Sequence, residues 1–195
     1  MGRRTESGPL FEAMRVIAEL GAVASIHAED ESLIQARLAL MEDAEKARMT
    51  ALGLSRSDLC EASAVREVTW LAEQAGAQVH IMHLSSALGL EAVREARRRG
   101  ADVTVETCPH YLLLTDAVYE RPDARFYSAS PALRGDGDRQ ALWDALASGD
   151  VDFLSTDHCP FSRAQKEWKG TFDRLPYGMA TTRSEERRVG KECRS

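Results

Sequence analysis

"QVHIMHLSSALGLEAVREARRRGADVTVET" occupies residues 78–107, and its reading decides the fold. An apolar, β-compatible run (78–86) gives way to a helical one (88–100), where Leu90, Val93 and Ala96 share a face. A second β-rich run, "ADVTVETCPHYLLL" (101–114), then forms a strand that runs to Pro109. Gly100 stops the helix, and the "RRR" at 97–99 is its solvated, cation-rich C-terminal end. Strand, helix and strand in this order predict a parallel βαβ unit with a right-handed crossover.

The same alternation extends to both sides. "LFEAMRVIAELG" (10–21) places Leu10, Met14, Ile17 and Leu20 at helical spacing, and "AVASIH" (22–27) reads as a short strand. Residues 31–52 read as helix, with Leu33, Leu38, Met41 and Ala44 on one side. "EASAVREVTWLAEQAG" (61–76) repeats Ala62, Val65, Val68 and Leu71 every third residue and ends at Gly76. After a loop-rich section come a helix, "RQALWDALASG" (139–149), and a last strand, "VDFLSTDH" (151–158). Two architectures fit these parallel units: an open doubly wound sheet, or part of a (β/α)8 barrel. No G-x-G-x-x-G or Walker-type loop follows a strand, which weakens the nucleotide-binding open sheet.

The bulk composition narrows the function classes. The chain has 195 residues, 44% hydrophobic and 29% charged, as expected of a folded protein rather than a disordered one. A net charge of −6 with scattered Lys and Arg argues against a nucleic-acid partner or an anionic membrane surface. No stretch is long and apolar enough to span a bilayer. No apolar stretch follows the double Arg of "MGRRTESGPL", so no signal peptide is expected, and Glu6 stands where a myristoylation site needs Ser or Thr. Cys60, Cys108, Cys159 and Cys193 form no CxxC pair, which predicts free thiols and a cytoplasmic location.

Polar chemistry gathers at the C-terminal ends of the expected strands: His27, His83, the Thr107–Cys108 pair and Asp157. Ligands bind at that end in barrels and in open α/β sheets alike. Strand alternation sets His80 and His83 on opposite faces, and likewise Asp157 and His158. His83, nearer the loop, is the one expected in the site, with His80 packing toward a helix. Two imidazoles and a carboxylate (His27, His83, Asp157) suit zinc, manganese or iron. A His or Asp at a strand end also commonly hydrogen-bonds a loop, and periodicity does not choose between these roles.

Five segments in order, "SIHAED", "VHIMHLSS", "VETCPHYLLLT", "SPALR" and "STDHCPF", resemble the cyclic amidohydrolases of the amidohydrolase superfamily. The resemblance covers about residues 10–180 and leans to the hydantoinase and dihydropyrimidinase group, with Lys166 following "TDHCPF". Allantoinase is similar over "HAED" and "ETCPHYL", and dihydroorotase is more distant. The resemblance implies a partial (β/α)8 barrel of the metal-dependent hydrolase kind, about strands five to eight, over residues 10–182. It implies a pair of divalent metal ions, zinc by preference, with His27 and His83 as ligands of the second ion. Asp157 would bind the first ion and act as general acid/base, and Ser130 would contact the substrate ring through its backbone. The implied reaction opens a hydantoin or dihydropyrimidine ring to an N-carbamoyl amino acid, in a protein that is a homo-oligomer at full length.

Departures from the family pattern are equally specific. The family's H-x-H, carboxylated Lys and oxyanion-stabilising Tyr correspond to positions before residue 1, so the chain is expected to be an inactive fragment with an incomplete metal site. Tyr177 in "PYG" stands where the family usually has Asn, which puts that substrate contact in doubt. "RSEERRVGKECRS" (183–195) matches neither the family nor an amphipathic period, and reads as a disordered or artefactual tail. Two other functions follow from the same resemblance: an allantoinase-type ureide hydrolase, or a non-catalytic dihydropyrimidinase-like assembly protein. Retention of His27, His83 and Asp157 together argues against the second.

Overall fold

A computed structural model describes residues 5–181; the 183–195 segment lies outside them. Helix α1 (Ser7–Glu19) leads into strand β1 (Val23–Ile26), followed by helices α2 (Glu31–Leu40), α3 (Asp43–Lys46), α4 (Ala51–Ser55) and α5 (Asp58–Ala75). Strand β2 (Gln78–Ile81), helix α6 (Ala87–Arg99) and strand β3 (Val103–Thr107) form the central unit. Helices α7 (Pro109–Leu113) and α8 (Asp136–Ser148), strand β4 (Phe153–Leu154) and helix α9 (Arg163–Lys166) complete the order.

The four strands are all parallel and stand in the order β1-β2-β3-β4. A doubly wound sheet reverses its strand order at a switch point. No reversal occurs here, so the arrangement is that of consecutive βα units in a (β/α)8 barrel. Helices α5, α6 and α8 end on Gly76, Gly100 and Gly149, each in the left-handed conformation that closes a helix at little steric cost.

One face of the sheet is buried beneath these helices. Val79 and Ile81 of β2, and Val103 and Val105 of β3, join Val65, Val68, Leu90 and Val93 in a single core. The alternating residues His80, Thr104 and Glu106 are only half-buried and face the other side. His80 therefore does not pack toward a helix as alternation suggested. Its Nδ1 pairs with Thr104 Oγ1 at 2.9 Å and its Nε2 with Glu106 Oε2 at 3.2 Å, with Phe153 edge-on to the ring.

Three element boundaries differ from the sequence expectation. The run 31–52 is three short helices, because no single buried stripe holds it: α2 buries only Ile34, α3 buries nothing, and α4 buries Ala51, Leu52 and Ser55. Strand β3 stops at Thr107, and Pro109 begins α7, since its fixed φ and missing N–H suit the first helical turn. Strand β4 keeps only Phe153 and Leu154, so the segment carrying Asp157 is loop. Among the described residues no helix is long and apolar enough to cross a membrane.

Candidate metal and substrate site

His27 follows the last residue of β1 directly, and His83 lies two residues past β2, whose Ile81 pairs with Ile26. Met82 N–H donates to Ile26 O, extending the ladder one step, and the chain then turns through a left-handed His83 (φ 39°). The turn swings the His83 ring back over the strand ends. His27 Nδ1 and His83 Nε2 meet at 2.9 Å, with the rings edge to face. His83 is buried, and burial, aided by the neighbouring His27, pulls its pKa down to about 4, so its ring is neutral at pH 7.

Asp157 also adopts a left-handed conformation (φ 42°). It is half-buried, and burial together with the Glu106 carboxylate raises its pKa, while His27 opposes that rise. The field of His27 thus reaches Asp157 across the strand ends. The structure joins His27 to His83, and among the described residues it gathers no set of three or more His, Cys, Asp or Glu close enough to hold a metal ion. The imidazole pair does fit two donors of such a centre: one ring is held neutral, and the two nitrogens converge from adjacent strands.

The other expected residues have structural partners. Thr107 Oγ1 donates to Leu84 O at 2.7 Å, fixing the loop after His83, and Cys108 is buried with its thiol pKa pushed well up by burial. His158 accepts from Thr181 N–H at Nδ1, 3.1 Å, and bridges to Met179 through its backbone, shaping the turn. Ser130 directs its hydroxyl to Glu29 Oε2 at 2.7 Å. Tyr177 carries the Arg56 guanidinium over its ring at 4.8 Å and donates its hydroxyl to Phe172 O.

Sequence reading missed the residues that assemble these parts. Glu29, whose side chain is 1% exposed, receives Arg56, Ser130 and His27 Nε2 (3.1 Å) on one oxygen. Despite burial, these donors hold its pKa down to about 2. A second buried carboxylate, Glu61, accepts from Ser85 N–H and Ser85 Oγ, both at 2.8 Å, and from Ser86 Oγ. Arg134 links the two clusters by donating to Ser85 Oγ and to Arg56 O. Lys166 is buried, and its ammonium donates to Ser128 and Pro176, pinning the loop after β4 to the turn that precedes Ser130. Glu29 and Arg134 lie inside the quoted "SIHAED" and "SPALR", but their pairings cross up to 101 residues of sequence. A cavity of about 1200 Å³ opens beside this cluster, lined by His27, Glu29, Arg56, Ser130, Trp168 and Tyr177.

No family model matches the chain. It is 38% identical over 173 residues to a D-phenylhydantoinase of Escherichia coli O81 (strain ED1a), a match covering 87% of this chain and 38% of that protein. Among solved structures, a D-hydantoinase from a Bacillus sp. AR9 superposes with a TM-score of 0.87 at 31% identity, covering 91% of this chain and 40% of that one. A D-hydantoinase (dihydropyrimidinase) from Thermus sp. gives 0.86 at 30% identity, covering 90% and 39%. The chain therefore spans 38% of the length of the curated relative it matches.

Proposed function

From a chain that belongs, over the stretch it spans, to the hydantoinase group of cyclic amidohydrolases, we propose that the whole protein hydrolyses a hydantoin or dihydropyrimidine ring to an N-carbamoyl amino acid. The observation that carries this reading is the meeting of His27 Nδ1 and His83 Nε2 at 2.9 Å, with His83 held neutral. In this proposal His27 and His83 hold one of two divalent ions, zinc by preference, and Asp157 holds the other. When bound, such ions generate hydroxide at neutral pH and polarise the attacked carbonyl.

The chain's own residues do the rest. Asp157 takes the proton of the attacking water and returns it to the leaving ring nitrogen. Its raised pKa makes the carboxylate a stronger base toward that water, which favours the first half of the transfer. Ser130 contacts the ring through its backbone, from a turn that Glu29 and Lys166 hold in place. The free thiols of Cys60, Cys108 and Cys159 support the cytoplasm as compartment, and the family reading extends to a homo-oligomer. Turnover of hydantoin, dihydrouracil and allantoin by the full-length protein tests the proposal. Hydrolysis of either of the first two in preference to allantoin is the expected result, and failure on both would overturn it.

A further inference from the structure

Two hydrogen-bond donors and one imidazole nitrogen converge on a single oxygen of Glu29. His27 Nε2 lies 3.1 Å from Oε2, Ser130 Oγ 2.7 Å, and an Arg56 nitrogen also reaches it, while Oε1 has no partner among the described residues. An ionised carboxylate only accepts, so it favours the tautomer in which the His27 nitrogen facing it carries the proton. The opposite nitrogen, Nδ1, then presents its lone pair, and this is the nitrogen 2.9 Å from His83 Nε2.

The carboxylate is itself held from two sides. Arg56 supplies its counter-charge and also donates to Ser130 Oγ at 2.9 Å. The Arg56 carbonyl is gripped by Arg134, which also binds Ser85, two residues past His83. One chain of contacts thus runs from the loop bearing His83 to the ring of His27. A metal-binding His usually donates its other ring N–H to such a carboxylate, which fixes both tautomer and ring orientation.

We propose that Glu29 is a positioning residue that fixes the tautomer of His27, so that Nδ1 is the nitrogen offered beside His83, and that Arg56 and Ser130 hold Glu29 in place for this task. The inference deepens the hydrolase reading of the same site. Its test is spectroscopic and uses the metal-free chain, so absence of turnover and absence of the tautomer are separate failures.

Long-range proton–nitrogen spectra of the histidine-labelled chain at about pH 8, above the ordinary imidazole range, report the protonated nitrogen of each ring. The wild-type chain should show His27 with a protonated Nε2 and a bare Nδ1. In Glu29→Gln the amide can donate as well as accept, so a second population protonated at Nδ1 should appear, with His80 and His158 unchanged. Glu29→Asp, one methylene too short to reach the ring, should do the same, and it serves if Glu29→Gln fails to fold. A wild-type His27 protonated at Nδ1, or the same spectrum in wild type and a folded Glu29 variant, would overturn the proposal.

Discussion

His27 Nδ1 and His83 Nε2 stand 2.9 Å apart although 56 residues separate them in sequence. Parallel pairing of β1 and β2 sets the two strand ends side by side, and the left-handed His83 turns its ring inward. A non-glycine residue in that conformation pays about 1–2 kcal/mol, least for Asn and Asp. His83→Asn should therefore retain the fold, whereas His83→Val should be less stable than it by about 1–2 kcal/mol, read from urea midpoints. Equal midpoints would mean that the turn imposes no strain.

Asp157 shares the left-handed conformation, and Asn tolerates it as well as Asp does. In the full-length protein, Asp157→Asn should leave the melting temperature within a few degrees of wild type. Turnover should fall by about 10²–10⁴, the usual contribution of a positioned general base. Near-normal hydrolysis would remove the proton-transfer role.

The fold was largely legible because its signals are local. Helices α5 and α6 carry regular apolar spacing and glycine stops, and the strands that follow them, β2 and β3, are rich in β-branched residues. The site was legible only in part. Alternation and nearness to the loop select His83, and the family resemblance selects Asp157 over His158, yet β2 ends at Ile81 and β4 at Leu154, so neither residue lies on a strand. Their direction comes from a backbone turn that no periodicity reports. Alternation holds at His80, which sits opposite Val79 and Ile81 beside Thr104 and Glu106; what fails is the regular strand expected to run on to His83. Glu29, Arg56, Glu61 and Arg134 are charged residues of a kind that sequence reading assigns to the surface. Only tertiary pairing shows that their charged groups meet inside the fold, Arg56 half-buried beside the buried side chains of the others.

Gly89 offers a test with a reversed sign. In the interior of an exposed helix, Gly→Ala usually stabilises by about 1 kcal/mol. A Cβ on Gly89, in the first turn of α6, would lie 2.5 Å from Glu61 Oε2, and three hydrogen bonds fix that carboxylate. Gly89→Ala should instead destabilise by about 1–3 kcal/mol, as overpacking does. A chain made more stable by this change would show that Glu61 is free to move.

His110 is one source of acid sensitivity in the fold. It is buried against Tyr111, with ring centroids 4.1 Å apart, and neither ring nitrogen has a partner among the described residues. Burial pulls its pKa down to about 4, from an ordinary value of 6.5. Between those two values the unfolded chain binds the proton that the folded chain refuses. The contribution of His110 to stability is thus complete above pH 6.5, is lost as pH falls toward 4, and is level below that. His83, also held near 4, acts with the same sign in the same window. His110→Leu removes one of these two contributions along with two unpaired nitrogens. Its stability relative to wild type should rise by about 2 kcal/mol between pH 7 and pH 5, measured by urea unfolding at each pH. If the two proteins lose stability in parallel over that range, His110 is not the group that resists protonation.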